Sequence, residues 1–158
     1  MKRCLDLIRT IVVSFEFVVI LLWSIALIGQ ISLPASISAN DMLTDEKIKW
    51  LALVPAGLMA VIFKDSSSLL FPNKDEQNLI TGFADFWVLR NMLSATLFYS
   101  VVFAALGVFG WTLDATKDAS RLIFTLGAAL IGSGINYFTF HNAISTINII
   151  FASKGKTS

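Results

Sequence analysis

Glu16 and His141 are the two side chains whose types and positions suggest chemistry. Glu16 is an acid within an apolar stretch, seven residues after Arg9 and so roughly 10 Å further along a helix. In a hydrocarbon medium a carboxylate must face a partner or water, or stay protonated, which makes an intramembrane acid a candidate functional group. His141 is the only histidine of the chain, and an imidazole exchanges protons near neutral pH.

Further polar side chains lie on the predicted helix that contains His141. Two of them share its helical face, at offsets of four and seven residues. These additional polar residues are Ser145, Asn148, Asn136 and Asn142. Counting from the helix ends places this polar face at a depth close to that of Glu16, which predicts a contact between Glu16 and His141, directly or through Ser145. Two roles remain open for it: a hydrogen bond that fastens two helices, or a group that handles protons or ions.

Small residues form a second pattern, which concerns helix packing. Small side chains four residues apart let helix backbones approach closely in lipid, where no hydrophobic force drives helices together. The pattern predicts a tight bundle and favours self-association. The positions predicted to pack in this way are Gly127, Ala128, Gly132, Gly134 and Gly107.

The sequence offers no recognisable catalytic motif. It has no phosphate-binding loop, no HExxH and no GxSxG. Its single cysteine, Cys4, cannot form an internal disulfide. The basic residues are scattered, which argues against direct nucleic-acid binding. We therefore expect no catalytic residues, no cofactor and no metal.

The candidate residues lie in long apolar segments. Residues 91–113 and 122–153 contain no charged side chain, and a chain of 158 residues cannot bury both runs in a water-soluble core. About 20 apolar residues in a helix cross the ~30 Å hydrocarbon layer. The sequence therefore predicts an all-α integral membrane protein of a single domain, a four-transmembrane-helix bundle. Its spans are expected at residues 8–31, 47–63, 88–113 and 120–151.

The connection between the second and third spans contains a predicted amphipathic helix at residues 73–87. Asn73 follows a proline and precedes Glu76 by three residues, a spacing typical of a helix start. Apolar residues then recur on one helical face. Those expected to contact the membrane surface or a partner are Leu79, Phe83, Phe86 and Trp87. We expect this helix to lie on the cytoplasmic membrane surface; the alternative is a plain polar loop.

Basic residues predict the orientation. The N-terminal tail, the connection after the second span and the C-terminal tail together hold eight Lys and Arg residues, against four on the opposite side. Because cytoplasmic segments carry the excess of basic residues, both termini should be cytoplasmic. The first apolar segment is too long for a cleavable signal peptide, so we expect it to be retained as a span.

In size, number of spans and organisation of the inner face, the whole chain resembles the membrane subunit of Kiwa-type anti-phage systems. The resemblance implies a homo-oligomer in the bacterial inner membrane that responds to phage attack and works with a cytosolic DNA-binding protein. The chain also resembles the immunity proteins against pore-forming colicins, which pack a few helices into the inner membrane and recognise helices of the toxin.

Three classes of function are compatible with these features. The first, which we predict, is a non-catalytic sensor or anchor subunit that works with a cytosolic effector in defence. The second is an ion or proton channel or transporter in which Glu16 and His141 line a path through an oligomer. The third is an accessory subunit of a larger membrane enzyme.

Overall fold

The described part of the chain is α-helical. The computed structural model describes residues 10–11, 13–29, 31, 45–70, 86–114 and 118–154. Its helices are α1 (Phe15–Ile28), α2 (Asp45–Leu70), α3 (Phe86–Thr112) and α4 (Ala119–Lys154). These residues contain no β-strand, so the predicted all-α class is confirmed for them.

Successive helices run in opposite directions. Ile48 near the start of α2 shares an apolar cluster with Leu122 near the start of α4. Ile62, about two turns before the end of α2, packs with Leu93 of α3 and Phe140 of α4 at the other end of the bundle. α3 packs extensively against both α2 and α4, and α1 lies against α4. The result is an antiparallel bundle with apolar clusters at both ends.

The predicted first span is interrupted before α1 begins. Thr10 and Ile11 are helical, but Ser14 is extended, with φ −82° and ψ 152°. The Ser14 hydroxyl accepts a hydrogen bond from the backbone N–H of Phe17 at 3.2 Å and so caps the new helix. Glu16 therefore lies in the first turn of α1, where the helix dipole favours a negative charge, rather than deep within a continuous helix.

α2 extends furthest beyond its predicted bounds. The apolar run predicts a short span at 47–63. Instead α2 continues through Pro55 to Leu70. Proline removes one helical hydrogen bond, and Pro55 is buried where α3 approaches closely at Gly107. Packing against α3 therefore holds the helix together through the proline. α3 and α4 begin and end within three residues of their predicted bounds.

Two stretches of the described residues, Arg90–Thr112 and Ala119–Ser145, are long and apolar enough to cross a membrane. The segment Phe15–Ile28 is a shorter apolar helix. These findings support membrane association and a helical bundle. The predicted helix at 73–87, with Leu79 and Phe83, lies outside the described residues up to residue 85. Phe86 and Trp87 belong to the first turn of α3.

Large apolar side chains cover the outside of the bundle. Phe15 of α1 is 79% exposed, Trp50 of α2 68%, and Ile131 and Phe138 of α4 62% and 66%. Polar side chains, by contrast, are found among the buried residues: Glu16, Ser66, Thr96, Ser100, Thr125, Ser133 and Asn136. An apolar exterior around buried polar groups suits helices that are surrounded by lipid.

Candidate functional site: a buried polar layer

Buried and half-buried polar residues from three helices meet at one level of the bundle, near the start of α1 and in the C-terminal half of α4. We call this set the polar layer. α1 and its N-cap contribute two of its members, α3 three and α4 two. They are Ser14, Glu16, Thr96, Tyr99, Ser100, Asn136 and Thr139.

Glu16 joins α1 to α4. Its side chain is only 4% exposed, and its Oε1 accepts a hydrogen bond from the Thr139 hydroxyl at 3.1 Å. The Thr139 hydroxyl also lies 3.0 Å from the carbonyl oxygen of Ile135, one turn earlier. The carboxylate therefore has a specific polar partner on α4, as a buried acid requires.

Tyr99 supports the break that precedes α1. Its hydroxyl donates to the carbonyl oxygen of Ile11 at 2.6 Å. The Ser14 hydroxyl lies 2.9 Å from the same carbonyl oxygen and 3.0 Å from the Tyr99 hydroxyl oxygen. The backbone N–H of Ser14 donates to this carbonyl oxygen as well, at 3.2 Å. Tyr99 thus fixes the start of α1 against α3.

Asn136 joins α4 to α3. Its side chain is 1% exposed, and its Nδ2 donates to the carbonyl oxygen of Thr96 at 3.1 Å and to the Ser100 hydroxyl oxygen at 2.8 Å. The Ser100 hydroxyl in turn donates to the Thr96 carbonyl at 2.8 Å. The Asn136 Oδ1 is buried and has no hydrogen-bond donor among the described residues.

A second polar contact between α1 and α4 lies towards the other end of the bundle. The indole Nε1 of Trp23 donates to the Thr125 hydroxyl oxygen at 3.1 Å. Trp23 also packs against an apolar cluster of Tyr99, Phe103 and Ala129. With Glu16 and Thr139, it attaches α1 to α4 at two points.

The predicted contact between Glu16 and His141 is wrong. The two side chains, both of them described, make neither a hydrogen bond nor an ion pair, and Glu16 bonds Thr139 instead. Thr139 and His141 are two residues apart, which is roughly 200° around a helix, so they face different directions. His141 is exposed, and its ring stacks on that of Tyr137 with centroids 6.3 Å apart.

The remaining predicted polar residues of α4 separate into two groups. Asn136 is buried in the polar layer. Ser145 and Asn142 are exposed, so they do not join it. Asn148 belongs to α4, but its side chain lies outside the described set.

Three of the five predicted packing positions lie at buried helix contacts. A Cβ added to Gly132 would stand 2.1 Å from Cε1 of Phe103, and one added to Gly107 would stand 2.7 Å from the carbonyl oxygen of Ala52. Ala128 is buried as well. Gly127 and Gly134 have no heavy atom within 4 Å of an added Cβ. Of the predicted packing positions, Gly132 therefore lies where α4 meets α3 and Gly107 where α3 meets α2. Gly127 and Gly134 face open space and make no such contact.

Two members of the polar layer, Thr139 and Tyr99, were missed by the sequence prediction although each has a signal in the sequence. Thr139 follows Asn136 by three residues, which places both on neighbouring parts of one helical face. Tyr99 is one of only two tyrosines, and a buried phenol usually has a hydrogen-bond partner. No group of three or more His, Cys, Asp or Glu that could hold a metal occurs within the described ranges. Chemically, the layer provides one carboxylate, one amide and several hydroxyl groups.

Comparison of the chain with protein-family models, with characterised proteins and with solved structures found no match.

Proposed function

We propose that this chain is a four-span protein of the bacterial inner membrane. We propose further that it acts as a non-catalytic sensor or anchor subunit for a cytosolic effector in defence. The apolar exterior of the bundle, with polar groups inside, is the observation that carries the membrane assignment. A soluble protein that exposed so many large side chains on every helix would aggregate.

The exposed faces of α1 and α2 support the proposal that these two helices cross the membrane as well. On α1, the exposed apolar positions Val18, Leu22 and Ile25 recur at helical spacing along one side. On α2 the exposed residues include Leu53 and Val61. α1 spans about 21 Å as a regular helix, so the helical residues before the break at Ser14 are needed to complete the crossing.

The antiparallel arrangement bears on the orientation. The Glu16–Thr139 bond brings the start of α1 beside the C-terminal half of α4. Chain segments that precede α1 and follow α4 therefore emerge on the same side of the bundle. The excess of Lys and Arg in these segments and in the connection between α2 and α3 favours the cytoplasm for that side.

The use of polar groups supports a non-catalytic role. In the polar layer, Asn136 donates to α3 and Glu16 accepts from α4, which is how polar side chains fasten helices inside a membrane. A bundle held by a few such bonds would repack when the bilayer is disturbed, and its cytoplasmic side would then hold or release the effector. The resemblance to the Kiwa membrane subunit supports the defence setting and a homo-oligomer.

Reporter fusions test the topology. Green fluorescent protein fused after Ser158 should fluoresce, and alkaline phosphatase at the same position should be inactive, because both would lie in the cytoplasm. The matched fusion point is Asp118, between α3 and α4, where the two reporters should behave in the opposite way. The same pattern at both points would contradict four spans.

Recruitment to the membrane tests the subunit role. The products of the genes beside this one should be expressed singly with and without the chain, followed by separation of membranes and cytosol. We expect one soluble product to move to the membrane fraction only when the chain is present. If every neighbouring product stays in the cytosol, the sensor or anchor proposal fails.

A conduction path is the second candidate, because a buried carboxylate lies in a layer of hydroxyl and amide groups. Ion or proton flux through liposomes that contain the purified chain would support it, provided that Glu16→Gln abolishes the flux. Absence of flux, together with recruitment of a soluble partner, would favour the subunit role.

A further inference from the structure

The side-chain amide of Asn136 has hydrogen-bond partners at Nδ2, whereas its Oδ1 has no hydrogen-bond donor among the described residues. Its Nδ2 faces the carbonyl oxygen of Thr96, which can only accept, and the Ser100 hydroxyl, whose own proton goes to that carbonyl. Rotating the amide would place its oxygen against the Thr96 carbonyl oxygen. The orientation is therefore fixed by the partners, and Oδ1 must point away from both of them.

The hydroxyl groups on the adjacent turns of α4 do not supply a donor. The Ser133 hydroxyl donates to the carbonyl oxygen of Leu130 at 3.0 Å. The Thr139 hydroxyl lies within hydrogen-bond distance of Glu16 and of the Ile135 carbonyl. Each hydroxyl has a single proton, so both protons are engaged elsewhere. Oδ1 is buried all the same, and a buried amide oxygen without a donor is rare and unfavourable.

We infer that the polar layer binds a water molecule, which donates one hydrogen bond to Asn136 Oδ1 and the other to the Glu16 carboxylate. Buried water typically satisfies polar groups of this kind and needs at least two polar partners. Asn136 and Thr139 are neighbours on α4, with Cβ atoms about 5–6 Å apart, and Thr139 holds Glu16 at 3.1 Å. The carboxylate therefore lies beside the turn of α4 that carries Asn136.

This site is independent of the proposed effector and of the defence role. It requires only the described contacts between α1, α3 and α4. The bound water would give the Glu16 carboxylate a second polar partner beside the Thr139 hydroxyl.

Water-edited solid-state NMR of the full chain in liposomes tests the inference directly. Magnetisation starts on water protons and is detected on carbon-13 after a variable mixing time. The signals to compare are the Asn136 Cγ and the Glu16 Cδ, with the partly exposed Asp118 as the wet reference and Ala129, fully buried in an apolar cluster, as the dry reference. Asn136→Leu and Glu16→Gln assign the two signals, and Ser100→Ala serves as a control because it removes a partner of Nδ2 only.

We expect both signals to build up as fast as that of Asp118 and several times faster than that of Ala129, and the Asn136 signal to persist in Ser100→Ala. A build-up at Asn136 as slow as at Ala129 would overturn the water site. A fast build-up at Asn136 with a slow one at Glu16 would overturn the bridge between them.

Discussion

At the scale of single residues, the partner of Glu16 is decided by the helical face rather than by depth. Depth alone matched Glu16 with His141, since both lie near the same end of the bundle. The face of α4 that meets α1 carries Thr139, whose hydroxyl reaches the carboxylate at 3.1 Å. The exposed His141 faces away and stacks on Tyr137.

A double-mutant cycle measures the Glu16–Thr139 bond. The variants are Glu16→Met, Thr139→Val and the pair, each purified in detergent, with the free energy of unfolding as the readout. We expect a coupling of about 0.6–2 kcal/mol, the range for hydrogen bonds between membrane helices. The matched cycle combines Glu16→Met with His141→Ala and should show none. Stronger coupling of Glu16 to His141 than to Thr139 would contradict the geometry.

At the scale of helices, the start of α1 depends on a side chain from α3. The chain breaks at Ser14, and the Tyr99 hydroxyl donates to the released carbonyl of Ile11 at 2.6 Å. A local sequence signal for this break is weak, because its main support comes from a residue 88 positions away.

Replacing Tyr99 by phenylalanine removes only the hydroxyl oxygen and so tests whether Tyr99 supports the start of α1. Tyr99→Phe should lower the stability of the bundle by about 0.5–1.5 kcal/mol, since the Ile11 carbonyl loses one hydrogen bond and keeps the one from the backbone N–H of Ser14 at 3.2 Å. Tyr137→Phe is the matched control, because Tyr137 is exposed and makes a ring contact instead; we expect little change there. Thermal unfolding in detergent gives the comparison. Equal effects of the two substitutions would mean that Tyr99 does not support the break.

The contact between α3 and α4 can be tested with a pair of glycines. Gly132→Ala places a methyl group 2.1 Å from Phe103 Cε1, so the ring must move, at a cost of about 1–3 kcal/mol. Gly134→Ala, two residues later, meets open space and should be neutral or slightly stabilising because alanine favours helix. Unfolding measurements that show the reverse order would contradict the packing.

Much of this helical organisation follows from the sequence, and the failures have physical causes. Uncharged runs such as 91–113 predicted α3 and α4 well, because length and hydrophobicity determine which segments lipid accepts. The predicted span for α2 ends at Phe63, before Lys64 and Asp65, because an apolar run ends at the first charges, whereas the helix continues past them to Leu70. The partner of Glu16 depends on the rotation of α4 about its axis. That rotation is set by contacts such as Gly132 with Phe103, which no single segment encodes.

At the scale of the whole molecule, the distribution of side chains defines the medium. Ile131 and Phe138 point outward from α4, while Asn136 and Thr139 of the same helix point inward. Such a distribution supports membrane association of the bundle. The inward-pointing polar side chains contribute to the attachment of α1, which contacts α4 through the Glu16–Thr139 and Trp23–Thr125 hydrogen bonds as well as through apolar residues.

A charged side chain introduced on the outer surface tests whether lipid or water surrounds the bundle. Ile131→Lys places an ammonium near the middle of the α4 span, where it should cost about 2.5–3.5 kcal/mol. We expect less of this variant in the membrane fraction, measured by immunoblotting, and normal levels for Ile131→Leu. An exposed lysine on a soluble bundle would do no harm, so undiminished, folded Ile131→Lys would contradict the account.

The most direct test of the central claim, that lipid surrounds this bundle, is the environment of the side chain at position 131. A nitroxide attached to Ile131→Cys, in a chain whose native cysteine is replaced by Cys4→Ser, is measured in liposomes by electron paramagnetic resonance. The account predicts frequent collisions with apolar oxygen and rare ones with a water-soluble nickel complex. Frequent collisions with the nickel complex would show that water, not lipid, covers α4, and would contradict it.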